Sequence, residues 1–70
     1  MTVSVIAVVN RRRATVELED PTDENIKALK RALFRCGHRP FWDSDAQWWI
    51  IRTECLNKLK EHGIEVRVVK

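Results

Sequence analysis

The stretch FWDSDAQWWIIR, residues 41–52, carries three tryptophans within eight positions, and two of them, Trp48 and Trp49, are adjacent. Aromatic and β-branched residues flank an Asp43-Ser44-Asp45 turn, the pattern of a β-hairpin. Pro40 cannot donate to a ladder and pushes the first strand towards a sheet edge. Neighbouring side chains on a strand point to opposite faces. Gln47, Trp49 and Ile51 therefore share one face, while Ala46, Trp48, Ile50 and Arg52 share the other. Each set holds a tryptophan and an isoleucine, so periodicity does not say which is inward. On either choice a Trp–Ile pair is left on the second face.

Downstream of the hairpin, Thr53 is expected to cap a helix, ECLNKLKEH, whose Leu56 and Leu59 face inward. Gly63 closes that helix, with Ile64 placed to meet Leu59 in a Schellman contact, and IEVRVV follows as a strand. Upstream, DPTDENIKALKRALFRCG is the clearest helix of the chain. Asp20 or Thr22 can cap it, Pro21 suits its first turn, and acids gather at the positive end of its dipole. Ile26, Leu29, Leu33 and Cys36 make one apolar stripe, and Gly37 ends the helix. Before it, VSVIAVV reads as a strand buried on both faces or nearly so. ATVELE alternates cleanly, and NRRR between the two runs gives a hairpin with an arginine-rich tip.

The order is ββαββαβ in a single α+β domain spanning residues 1–70, with one mainly antiparallel sheet. Two helices cannot cover both faces of a five-stranded sheet, so both are expected on one face. The other face is then open to solvent or to a partner. A 70-residue chain buries only about 60–65% of its unfolded surface, so each large apolar residue matters to the core.

Composition (44% hydrophobic, 33% charged) is that of an ordinary soluble domain without low-complexity segments. The longest apolar run, residues 5–9, is too short to span a bilayer, and the start of the chain lacks the pattern of a secretory leader. A cytoplasmic protein with no membrane partner is expected. Cys36 and Cys55 form no C-x-x-C and are read as two reduced thiols packed as small hydrophobes. Together with His38 and His62 they match none of the usual zinc spacings, so neither metal nor cofactor is expected. Both histidines lie at helix ends, where a cation suits the dipole. There is no glycine-rich loop and no nucleophile in a local motif. Asp43 and Asp45 are turn formers before they are anything else, and enzyme chemistry is not expected.

Net charge is +3, laid down in blocks. Arg11, Arg12 and Arg13 form the first basic cluster. Acids follow at Glu17, Glu19, Asp20, Asp23 and Glu24, and then Lys27, Lys30, Arg31 and Arg35 line one side of the first helix. Each basic group also reads as a plain solvated residue. Three accounts stay open for the spare Trp–Ile pair. It packs with a second apolar face of the first strand, docks a protein as tryptophan and arginine do at hot spots, or stacks nucleobases with Arg52 and the other basic residues on phosphates.

The segment from Thr15 to Leu56 resembles the HARP domain found beside the motor of annealing helicases. The residues that carry the resemblance are Val16 and Leu18, then Ile26, Leu29 and Lys30, then Trp42-Asp43, five intervening residues, Trp49 and Ile51. The resemblance implies that Trp49 is the core tryptophan and that Trp48 stands where the family has a polar or basic residue. It also implies recognition of single-stranded or branched DNA, without a helicase motor in this chain. The turn departs from the family, being acidic at Ser44-Asp45-Ala46-Gln47 rather than basic.

The expected function is therefore non-catalytic binding of nucleic acid, single-stranded or branched DNA. Trp48 would stack a base, and Arg11, Arg12, Arg13, Lys27, Lys30, Arg31, Arg35 and Arg52 would neutralise phosphates. The alternative is a small protein-binding module or inhibitor that docks through the open sheet face or an edge. A homodimer through an exposed Trp–Ile patch is a further possibility.

Overall fold

The computed structural model describes residues 3–37 and 39–69, so His38 lies outside the described residues. Along the chain run β1 (Ser4–Asn10), β2 (Arg13–Leu18), α1 (Asp23–Phe34), β3 (Phe41–Asp43), β4 (Trp48–Arg52), α2 (Cys55–Glu61) and β5 (Glu65–Val69). This is the expected ββαββαβ order. The strands form one sheet in the order β3-β4-β2-β1-β5, antiparallel throughout except for the parallel β1–β5 pair.

The helix ends are built by local chemistry. The Asn25 backbone N–H donates to Thr22 Oγ1 at 3.2 Å, so Thr22 rather than Asp20 is the side-chain cap of α1, and Asp23 and Glu24 occupy the first turn. At the end of α2 the Ile64 N–H donates to the Leu59 carbonyl at 3.0 Å, across Gly63 at φ +81°. That is the expected Schellman closure, and Leu59 and Ile64 are both buried. Thr53 does something other than expected. Its hydroxyl donates to the Arg11 carbonyl at 2.8 Å and its N–H to the Arg12 carbonyl at 2.9 Å, so it ties the start of α2 to the β1–β2 turn instead of capping the helix with its side chain.

The register explains why both helices cover the same face. β2 runs antiparallel to β4, and β4 to β3, so the β2-α1-β3 unit joins parallel strands, as does β4-α2-β5. The two units leave antiparallel neighbours and move towards opposite edges. A right-handed crossover in each then sets α1 and α2 on one side. Leu29, Leu33, Leu56 and Leu59 pack there against Val5, Ala7, Ala14, Val16 and Ile51. Trp49 faces this core opposite Val16, and Trp48 faces the open side. Trp49 is held between Phe34, edge-on at 6.5 Å, and Trp42, tilted at 5.3 Å.

Two further expectations are overturned. β1 is not buried on both faces: Val5 and Ala7 are fully buried against the helices, whereas Ile6 is half-buried and Val8 exposed on the open side. Among the described residues no helix is left over to cover that second face. The cysteines are not reduced thiols either. Cys36, just past α1, and Cys55, opening α2, are bonded as a disulfide with their Cα atoms 5.6 Å apart. A separation of 19 residues in sequence carries no signal for this; the crossing of the two helix ends over the sheet brings the sulfurs together.

Closing a loop of that length removes about 3 kcal/mol of unfolded-chain freedom in the chain-entropy description. The double variant Cys36→Ser, Cys55→Ser should lose about that much stability in urea titrations, and a thiol reductant should lower the melting temperature of the parent but not of the variant. Trp49→Ala should cost about 3 kcal/mol, and Trp48→Ala less than half as much. Equal losses would mean that the inward and outward tryptophans have been exchanged.

Candidate nucleic-acid interface

The open face of the sheet is ordered in rows, because residues paired across neighbouring strands lie side by side on one surface. One row crosses all five strands: Phe41, Ile50, Thr15, Val8 and Val69. Four of these five are apolar, and Phe41 is 63% exposed. At about 4.8 Å per strand the row is roughly 19 Å long. Two residues further along β4 and β2, about 7 Å away, Arg52 lies opposite Arg13, with Asn10 beside Arg13 on β1. Like charges directly opposite one another destabilise a sheet. This pair is kept nonetheless, next to two more arginines in the β1–β2 turn.

That turn is strained. Asn10 pairs with Arg13, which leaves Arg11 and Arg12 as a two-residue loop, and Arg11 has φ +59°. Left-handed backbone at a residue other than glycine costs about 1 kcal/mol or more. Both carbonyls of the loop are held by Thr53, which locks the turn where it is. The same end of the molecule receives the end of α1. Its 12 residues span about 18 Å and return along the six residues of β2, about 20 Å, as Phe34 packing on Trp49 and the Cys36–Cys55 bond require. Arg35, next to Cys36, therefore joins Arg11, Arg12, Arg13 and Arg52 at one pole.

Acids occupy the other pole. Glu19, Asp20, Asp23 and Glu24 surround a shallow depression with Ser4 where β2 passes into α1. Glu19 also pairs with Arg67 across the open face at 3.8 Å. The acidic β3–β4 turn lies at this end as well. Asp43 Oδ1 accepts from the N–H groups of Asp45 and Ala46, and the Gln47 N–H closes the turn on the Asp43 carbonyl at 2.8 Å. The expected role of Asp43 as a turn former is what the hydrogen bonds show.

The basic residues singled out in the sequence are thus divided. Arg11, Arg12, Arg13 and Arg52 come together, and Arg35 approaches them from the helix layer. Lys27 lies on the first half of α1 and Lys30 just past its middle, behind the sheet, with Arg31 one turn before the helix end. Trp48 shares the open face with Arg52, but four residues along a strand, about 13 Å, separate them. Trp48 is half-buried beside Asp43, with its indole Nε1 buried and lacking an acceptor among the described residues. The exposed ring of this face is Phe41, which sequence reasoning missed. A signal was present: a turn of four residues after Asp43 sets Phe41 opposite Ile50, on the face of Trp48.

Among the described residues no cluster of His, Cys, Asp and Glu is arranged to hold a metal ion, and no helix is long and apolar enough to cross a membrane. No protein-family model matches the chain, and no curated protein or solved structure is similar enough to be matched to it.

Glycine adopts a positive φ without the clash that a Cβ causes. Arg11→Gly should therefore stabilise the fold by roughly 0.5–1 kcal/mol while removing one charge from the arginine pole. Urea titration of the variant checks the sign, and a loss of stability would show that Arg11 makes native interactions that outweigh the strain.

Proposed function

We propose that this protein is a non-catalytic binder of single-stranded nucleic acid, with DNA, single-stranded or at a branch, as its substrate class. The observation that carries the proposal is the placing of a like-charged pair, Arg13 opposite Arg52, alongside a continuous apolar row that begins with the exposed Phe41. A strand crossing the sheet would lay bases over Phe41, Ile50 and Thr15 and its phosphates along Arg52, Arg13 and the turn arginines. Four-stranded sheets with helices behind them use their open face on RNA in this way, stacking bases on aromatic side chains. Phosphate would also relieve the repulsion between the two arginines. Arg35 extends the basic pole, whereas Lys27 and Arg31 serve only as long-range charge. Trp48 would contribute the exposed part of its ring at the far side of the row.

The resemblance to the HARP domain points the same way, with a rearrangement. The basic hairpin turn of that family is acidic here, and the arginines gather at the opposite end of the sheet. A cytoplasmic location suits such a ligand, although disulfides persist chiefly in oxidising compartments. One feature favours the protein-binding alternative: β5 is an edge strand whose Val68 is 53% exposed, so another chain could add to the sheet there.

Anisotropy titrations of a labelled oligothymidine at several salt concentrations test the proposal. Affinity should fall steeply with salt. Arg52→Ala and Arg13→Ala should each flatten the log–log salt slope by about 0.7, the value for one single-strand phosphate contact. Phe41→Ala should weaken binding by about tenfold, within the range for loss of one stacked base, without loss of stability. Wild-type protein that binds neither single-stranded nor forked oligonucleotides at low salt would overturn it.

A further inference from the structure

The side of the sheet that carries the helices is not closed at the β3 edge. Between the middle of α1 and the β3–β4 hairpin lies a cleft of about 740 Å³, inside the range of roughly 300–1,000 Å³ typical of small-ligand sites. Trp42 and Trp49 line one side, Ile26 and Leu29 of α1 the other, with Val16 between them and both Lys30 and Glu17 in the lining. Trp42 is 42% exposed although it leans on Trp49 at 5.3 Å, so much of its side chain is open to a ligand. Lys30 is exposed and forms no ion pair with a described residue. An indole face and a free ammonium in a largely apolar cleft, with Gln47 also in its lining, make a match for a flat aromatic ring with a polar edge and an anion beside it.

The cleft is also continuous with the open face. Phe41 and Trp42 are consecutive residues of β3, which has three residues and no strand beyond it. Phe41 projects to the open face and Trp42 into the cleft, so a ligand that leaves the apolar row over Phe41 need only round one short edge strand to reach Trp42.

We infer that the cleft holds a single unstacked nucleobase of the bound strand, lying against Trp42, with Lys30 on the phosphate beside it. The inference rests on the nucleic-acid proposal but assigns a second site, on the other side of the sheet. A strand gripped in this way is bent around β3, which a paired duplex cannot do without opening. The protein would therefore select single-stranded ends and gaps over continuous duplex by shape, without reading sequence.

The test uses an oligothymidine carrying one 2-aminopurine, whose emission is quenched when it stacks on an indole, together with Lys30→Glu, Trp42→Ala and Lys60→Glu. Lys60 is exposed on α2, so its variant makes the same change of charge away from the cleft. Wild-type protein should quench the probe at one position of the oligonucleotide. Trp42→Ala should abolish that quenching and weaken binding by about tenfold. Lys30→Glu should weaken binding several times more than Lys60→Glu, with unchanged thermal unfolding, so the result does not depend on the tolerance of the fold for Trp42→Ala. If Lys30→Glu and Lys60→Glu behave alike and the quenching survives Trp42→Ala, while Arg52→Ala still weakens binding, the base pocket is wrong and the open-face interface stands. If wild-type protein binds no oligonucleotide, the interface and the pocket fall together.

Discussion

The pairing of β2 with β4 orders both faces of the sheet. It sets Val16 opposite Trp49 and Arg13 opposite Arg52. Because a strand repeats every two residues, a slip of one position would send every side chain of β4 to the other face. Trp48 and Ile50 would then enter the core, and Trp49, Ile51 and the stacking of Phe34 and Trp42 would be lost from it. The antiparallel sense of this same pair makes the two βαβ units leave in opposite directions, so that right-handed connections bring both helices to one side. A single pairing thus decides which tryptophan is structural, which face is bare, and where two arginines meet.

The bare face is graded rather than uniformly basic. Arginines collect where the β1–β2 turn, the end of β4 and the end of α1 converge, and carboxylates collect where β2 passes into α1. Two devices hold the basic pole in place. Thr53 bonds both carbonyls of the strained turn, and the Cys36–Cys55 bond fastens the helix end above it. Strain of this kind persists only where surrounding contacts over-determine it, and it gathers at binding sites. The net charge of +3 understates the local field, since the arginine turn and the acidic β2–α1 junction lie about the length of β2, roughly 20 Å, apart, well beyond the ~8 Å screening length at physiological salt.

Local features were legible in the sequence because their causes are local. The Thr22 cap, the acidic first turn of α1, the Gly63–Ile64 closure and the edge position of the strand after Pro40 each follow from residues within a few positions of one another. The ββαββαβ order follows from the two hydrophobic periods. The contribution of Phe41 could have been read from the length of the β3–β4 turn, once Trp49 was taken as the inward ring. The role of Thr53 was misread because a threonine before a helix is usually its cap; here a carbonyl 42 residues away competes for the hydroxyl.

Residues close in the chain dictate the set of elements, their caps and turns, and the opposite facing of adjacent tryptophans. Long-range packing chooses which of them faces inward, brings the two cysteines together, sets Arg13 against Arg52 and opens a cleft beside Trp42. Each of these depends on the registration of strands or helix ends far apart in the chain. That registration is set by the collective packing of both helices on one sheet, a property that no window of sequence contains.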